Sequence, residues 1–111
     1  MKYVIKENKE YVEEGVTKYA ITIQTPIGCF TGVAKLHPED EPYKKRFFGY
    51  EIAERKAYIK ALKKRAKQLE KIDKSSALNT KLEIEISTLN MIAIIHTADN
   101  YNHGQNSKNE K

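Results

Sequence analysis

Polar and apolar residues alternate along the first third of the chain, as Tyr3 and Ile5, then Tyr19, Ile21 and Ile23, then Phe30, Gly32, Ala34 and Leu36. A period of two lines one face of a sheet, so the pattern predicts three antiparallel strands within residues 2–37. The second and third meet through Thr25-Pro26-Ile27-Gly28, where proline presets the turn and glycine accepts a positive φ, a hairpin signal. The earlier connection, around residues 8–15, is polar and less sharply defined. Gly32 within a strand predicts a bulge or the close approach of another backbone.

Beyond residue 40 the period becomes helical. Phe48, Ile52, Arg55, Ile59, Leu62, Ala66 and Leu69 recur every three or four residues, predicting a helix over about residues 42–73 with Asp40 or Glu41 as its cap and Pro42 in its first turn. The acids of His37-Pro38-Glu39-Asp40-Glu41-Pro42 suit the positive end of that helix. This accounts for them better than a metal site of His37, Glu39 and Asp40, for which no further ligand has suitable spacing. Lys74-Ser75-Ser76 reads as a short turn supplying a new N-cap. The segment after it is ambiguous: Leu82-Glu83-Ile84-Glu85-Ile86 alternates like a strand, whereas Leu78, Leu82, Ile86, Leu89, Ala93 and His96 recur like one helical face. With no turn residues dividing it, a second helix over about residues 76–102 is the reading adopted, its apolar face covering the stripe of the first. Residues 104–111 lack apolar anchors and read as a disordered tail. The expected fold is α+β: a single domain over residues 1–103, an N-terminal three-stranded antiparallel sheet followed by a hairpin of two long helices.

A chain of 111 residues supports one such domain, with a core that would gain from association with another copy. There is no apolar run near the roughly 20 residues needed to cross a bilayer and no leader-like N-terminus, so a soluble cytoplasmic protein without a membrane partner is expected. Cys29 is the single cysteine and reads as a small, half-buried strand residue. The net charge of +5 is unevenly placed: residues 42–74 hold 12 Lys and Arg against 4 Asp and Glu, a balance of +8, leaving −3 for the remainder. Lys56, Lys60, Lys63, Lys64 and Lys67 are therefore either a solvated helix face or a basic surface for a phosphate backbone, an acidic partner or small anions.

Arg55 is the one charged member of the first helix's apolar stripe. A guanidinium stays protonated in proteins, so it must be paired, reach water or hold an anion. In an antiparallel hairpin it faces roughly residues 90–100, which supply Asn90, His96, Thr97, Asp99 and Asn100. A planar cation, amides and a histidine at one level match a phosphate with a base or ribose, and Tyr50 and Tyr58 are near enough to stack. The competing account is structural: an Arg55–Asp99 pair or an acid from another subunit, and a merely hydrogen-bonded His96. His96, Asn100 and His103 have ligand-like spacing without an acid or thiol to complete a metal site. Arg65 and Glu85 are expected to form a plain salt bridge. No Ser-His-Asp or Cys-His arrangement is recognisable, so a binding protein is expected, with no enzymatic activity, cofactor or metal.

The stretch Thr31-Gly32-Val33-Ala34-Lys35-Leu36-His37-Pro38-Glu39-Asp40-Glu41, followed by Phe48-Gly49-Tyr50-Glu51-Ile52-Ala53-Glu54-Arg55-Lys56-Ala57, resembles a pattern in small proteins of phages infecting low-GC Gram-positive bacteria. The layout of a small antiparallel sheet and two long helices is similar to that of the phage anti-Thoeris sponge proteins, which bind cyclic ADP-ribose signals without cleaving them. In that family arginine, asparagine and aromatic side chains hold the ligand at subunit interfaces. The resemblance implies an anti-defence role in the infected host's cytoplasm, a homodimer or higher oligomer, and ligand contacts by Arg55 and Asn90. Residues 99–111 contain no arginine and the second helix no phenylalanine, so it carries no further ligand residue there. Two rival classes remain. Three strands and a basic helix look like a double-stranded RNA-binding domain, with Lys63-Lys64-Arg65-Ala66-Lys67 as its phosphate cluster, although here the cluster lies deep in the first helix rather than near the start of the last. The other is a phage inhibitor docking its basic helix directly on a host defence protein.

Overall fold

The computed structural model describes residues 1–35 and 42–109, with side chains at 1–35 and 47–97. In chain order the elements are β1 (Val4–Glu13), β2 (Val16–Thr25), β3 (Gly28–Lys35), α1 (Pro42–Glu70) and α2 (Lys74–Asn109). The strands form an antiparallel meander in the order β1-β2-β3. Residues 8–13, read as loop from their polarity, extend β1, which pairs through to Glu13↔Val16. An edge strand buries few side chains, so polarity does not exclude pairing. Glu14 (φ 53°) and Gly15 (φ 77°) close that hairpin with two positive φ angles, the twist a two-residue turn needs. At the other hairpin the Thr25 hydroxyl donates to the Gly28 carbonyl at 2.9 Å and accepts from the Ile27 amide at 3.2 Å.

Tyr19, Ile21 and Ile23 of β2 and Ala34 of β3 face α1 and are buried against Ile52, Ala53, Ala57 and Ala61. Alanines on the helix let its backbone approach the sheet, and Gly32 completes the fit: a Cβ there would run into the Ala53 carbonyl and stand 2.5 Å from the Ala57 nitrogen. Gly49 plays the same part against the Tyr19 ring. Of the two alternatives for Gly32, close approach is the one realised. Cys29 is exposed rather than half-buried. Its neighbour along the strand, Phe30, takes the inward position, and alternation turns Cys29 out.

α2 packs antiparallel to α1, yet with a different face from the one expected. Leu78, Leu82, Ile86 and Leu89 are exposed, with Ala93 and His96. The inward face carries Ala77, Thr80 and Ser87, all buried, with Met91 and Ile94 reaching the core. Small side chains draw two helix axes together, and this proximity outweighs the larger apolar content of the other face. The N-cap is Asp73, one residue before Lys74-Ser75-Ser76: its Oδ1 accepts from the Ser75 and Ser76 amides at 3.1 and 3.3 Å, and its Oδ2 from the Ser76 hydroxyl at 2.8 Å. These bonds hold the Asp73 carboxyl below its ordinary pKa, the Ser76 hydroxyl contributing most. Arg65 and Glu85 do not pair; among the described residues the ion pair between the helices is Lys81–Glu70 at 2.8 Å. The expected cap at Asp40 or Glu41 and the weighed site at His37, Glu39 and Asp40 lie outside the described residues. The backbone of α2 includes residues 104–109 of the expected tail, while residues 110–111 are outside the description.

Candidate functional site

Arg55 is half-buried on α1, three residues before Tyr58 and thus on the same side of the helix. Strand β1 leads in from Tyr3, whose ring lies 5.0 Å from that of Tyr58, tilted by 39°. The Tyr3 hydroxyl donates to Glu54 at 2.5 Å. The Tyr58 hydroxyl accepts from the Met1 amine at 3.3 Å and has two acceptors in reach, the Met1 carbonyl at 3.3 Å and Glu83 of α2 at 3.4 Å. Burial, then the bond to Glu54, pushes the Tyr3 phenol up to about 12, and burial, then Glu83, raises Tyr58. The Arg55 charge opposes both shifts. No carboxylate among the described residues forms an ion pair with Arg55. Glu54 and Glu83 are instead engaged by the phenols. The alternative partner, Asp99, lies outside the described side chains.

Asn90 follows Glu83 by seven residues and so shares its face of α2, at an exposed position. Because the helices are antiparallel, the step from Tyr58 back to Arg55 and the step from Glu83 on to Asn90 run the same way along one side of the hairpin. Arg55, Tyr58 and Asn90 therefore lie along one side of the hairpin. Tyr50 and His96 do not join them. The Tyr50 ring meets Tyr19 edge-on (5.1 Å, 77°) and lines a separate open cavity of about 470 Å³ beside β1, with Ile5, Phe47 and Glu54. His96 follows Leu89 by seven residues on the outward face of α2. Asn100 and His103 lie outside the described side chains. In place of Tyr50 the fold supplies Tyr3, a residue whose sequence context marks it only as part of a strand. Its alternation with Ile5 is the available signal, since it directs Tyr3 toward the helices.

A second cavity, of about 550 Å³, continues from Met1 and Glu83 toward the helical turn and is lined by Lys2, Arg65, Asn79 and Thr80. On the other side of α1, Lys63, Lys64 and Lys67 are exposed. With Lys60 and Phe30 they line a shallow depression of about 320 Å³. Lys64 Nζ stands 5.7 Å from the Phe30 ring centroid, and Lys60 donates to the Thr31 carbonyl at 2.7 Å. Among the described residues no group of three His, Cys, Asp or Glu side chains could hold a metal ion, and no helix is long and apolar enough to cross a membrane. No protein-family model matches the chain, nor does any curated protein or solved structure.

Proposed function

We propose that the protein binds and sequesters a small cyclic nucleotide of the cyclic ADP-ribose type, holding it intact, and serves as a phage anti-defence protein in the cytoplasm of the infected host. One observation carries this reading: a half-buried arginine without a carboxylate partner among the described residues, one helical turn from Tyr58, whose ring meets that of Tyr3. Arg55 offers a phosphate two parallel N–H donors, and partial burial strengthens that contact relative to water. Tyr58 and Tyr3 offer an aromatic edge for a base, and Asn90 an amide that can both donate and accept. The resemblance of the sequence to anti-Thoeris sponges supplies the ligand class and the expectation that more than one copy assembles. The test is a thermal-shift panel of cyclic ADP-ribose isomers and cyclic di- and trinucleotides on wild type and Arg55→Ala. Several degrees of stabilisation by one ligand, lost in the variant, and recovery of that ligand intact after denaturation support sequestration. No shift with any small nucleotide sinks it.

A second reading rests on the row Lys60, Lys64 and Lys67 beside Phe30, which pairs phosphate-binding charge with a surface for a stacked base. Short duplex and single-stranded RNA and DNA belong in the same panel. Loss of binding with salt, and through Lys64→Ala rather than Arg55→Ala, selects this reading over the first.

A further inference from the structure

Among the described residues nothing covers the outward face of α2. Leu78, Leu82, Ile86, Leu89 and Ile92 recur at intervals of three and four and are 42–65 % exposed. They form one stripe about 20 Å long, at a rise of about 1.5 Å per residue. The opposite face of the same helix is already packed on α1 through Ala77, Thr80 and Ser87. A helix apolar on both sides belongs between two layers, and this chain provides one.

We propose that the second layer is another copy of this chain, and that two α2 helices pair antiparallel along this stripe. The five side chains expose on the order of 500 Å² of apolar surface, toward the upper end of what monomers leave to water. A stable two-protein interface takes about 800 Å² from each partner, which the stripe and its rim supply together. Charge selects a second copy over an acidic partner. No member of the stripe is ionisable, and Lys81 beside it is already bound to Glu70 at 2.8 Å. An acidic partner would be drawn to α1, which packs on the other side of α2. Pairing through α2 instead leaves the two basic α1 helices on the outside of the dimer, with their like charges apart.

Orientation follows from the same residues. Residues 86–98 contain no Asp, Glu, Lys or Arg, whereas Lys81 and Glu85 flank the first half of the stripe. A parallel pair sets Lys81 against Lys81, sets Glu85 against Glu85 and aligns the helix dipoles. An antiparallel pair sets each charged half against the partner's uncharged half. Leu82 then meets Ile92, and Ile86 meets Leu89 across the two-fold axis, a self-complementary seam.

Sedimentation of the full chain without ligand tests this apart from the nucleotide reading, since neither outcome depends on what Arg55 holds. Wild type is expected at twice the 12.8 kDa chain mass or an even multiple of it. Leu82→Glu combined with Leu89→Glu is expected to halve the number of chains while leaving the helical circular dichroism unchanged. A wild type that sediments as one chain at micromolar concentration overturns the proposal, as does a double-glutamate variant that keeps the wild-type mass. Cysteine pairs decide the case even if that variant fails to fold. In a Cys29→Ser background, mixed Leu82→Cys and Ile92→Cys chains should oxidise to a disulfide-linked heterodimer, with neither chain linking efficiently to itself. Self-linked Leu82→Cys dimers overturn the antiparallel seam, and absence of any mixed product overturns the pairing.

Discussion

Gly32 is where a single atom decides whether sheet and helix can meet. An added methyl would enter the α1 backbone at Ala53 and Ala57, and backbone cannot swing aside as a side chain can. Gly32→Ala is therefore expected to cost about 3 kcal/mol in urea unfolding. Gly15→Ala meets nothing within 4 Å and is expected to lose only the strain of its positive φ, about 1 kcal/mol. Tyr3 makes a prediction in pH. Its phenol is held up to about 12 in the folded chain, against 10.0 for the free group. The unfolded chain therefore loses the proton first as pH rises. The corresponding stability is fully present below pH 10 and lost between there and about 12. Tyr3→Phe should flatten alkaline unfolding in that window, measured by circular dichroism at fixed temperature. Arg55 is legible in the sequence as an exception in an apolar stripe, while the pairing of Tyr3 with Glu54 and Tyr58 is not, because a strand side chain's helical partner depends on docking.

At the scale of elements, the two helices differ in how much periodicity can say. The α1 stripe is interrupted by lysines on its exposed side, so its phase is readable, and Ile52, Ile59, Leu62 and Ala66 are buried as that phase requires. Leu62→Ala is expected to cost about 3 kcal/mol, because the side chain is 1 % exposed and leaves a cavity between the helices. α2 has apolar residues on both sides, and the larger ones point to the wrong side. Its buried face is built from alanine, threonine and serine, whose value lies in allowing close approach rather than in hydrophobicity. The cap at Asp73 makes a test of opposite sign to Tyr3. Its carboxyl is lowered in the folded chain, so its contribution is present above the ordinary carboxylate pKa and lost as pH falls through the lowered folded value. Asp73→Asn, which keeps an N-cap acceptor, should remove that acid-side dependence with little loss at neutral pH, read from melting temperatures across the acid range.

For the whole molecule, the basic side of α1, the side of the hairpin that carries Arg55 and the outward stripe of α2 are separate surfaces and respond to different changes. Replacing Lys63, Lys64 and Lys67 with alanine should weaken any duplex binding and reduce its salt slope by about 0.9 for each phosphate no longer neutralised, leaving small-nucleotide shifts in place. Arg55→Ala should do the reverse. Measuring both variants against both ligand classes by titration at two salt concentrations separates the surfaces without assuming which one is used.

The order of elements, the α+β class, the 25–28 hairpin, the phase of α1 and its excess of positive charge were set by the sequence alone. Each depends on local chemistry, on period, turn residues and charge count, which the chain carries wherever it docks. Tertiary structure decided which face of α2 is buried, that Tyr3 rather than Tyr50 meets the Tyr58 ring, that Arg65 and Glu85 stay apart, and that an apolar stripe is left facing outward. Those outcomes depend on distances between elements. Such distances are set by small residues such as Gly32, Ala53 and Ala77, whose effect is felt only when two backbones meet.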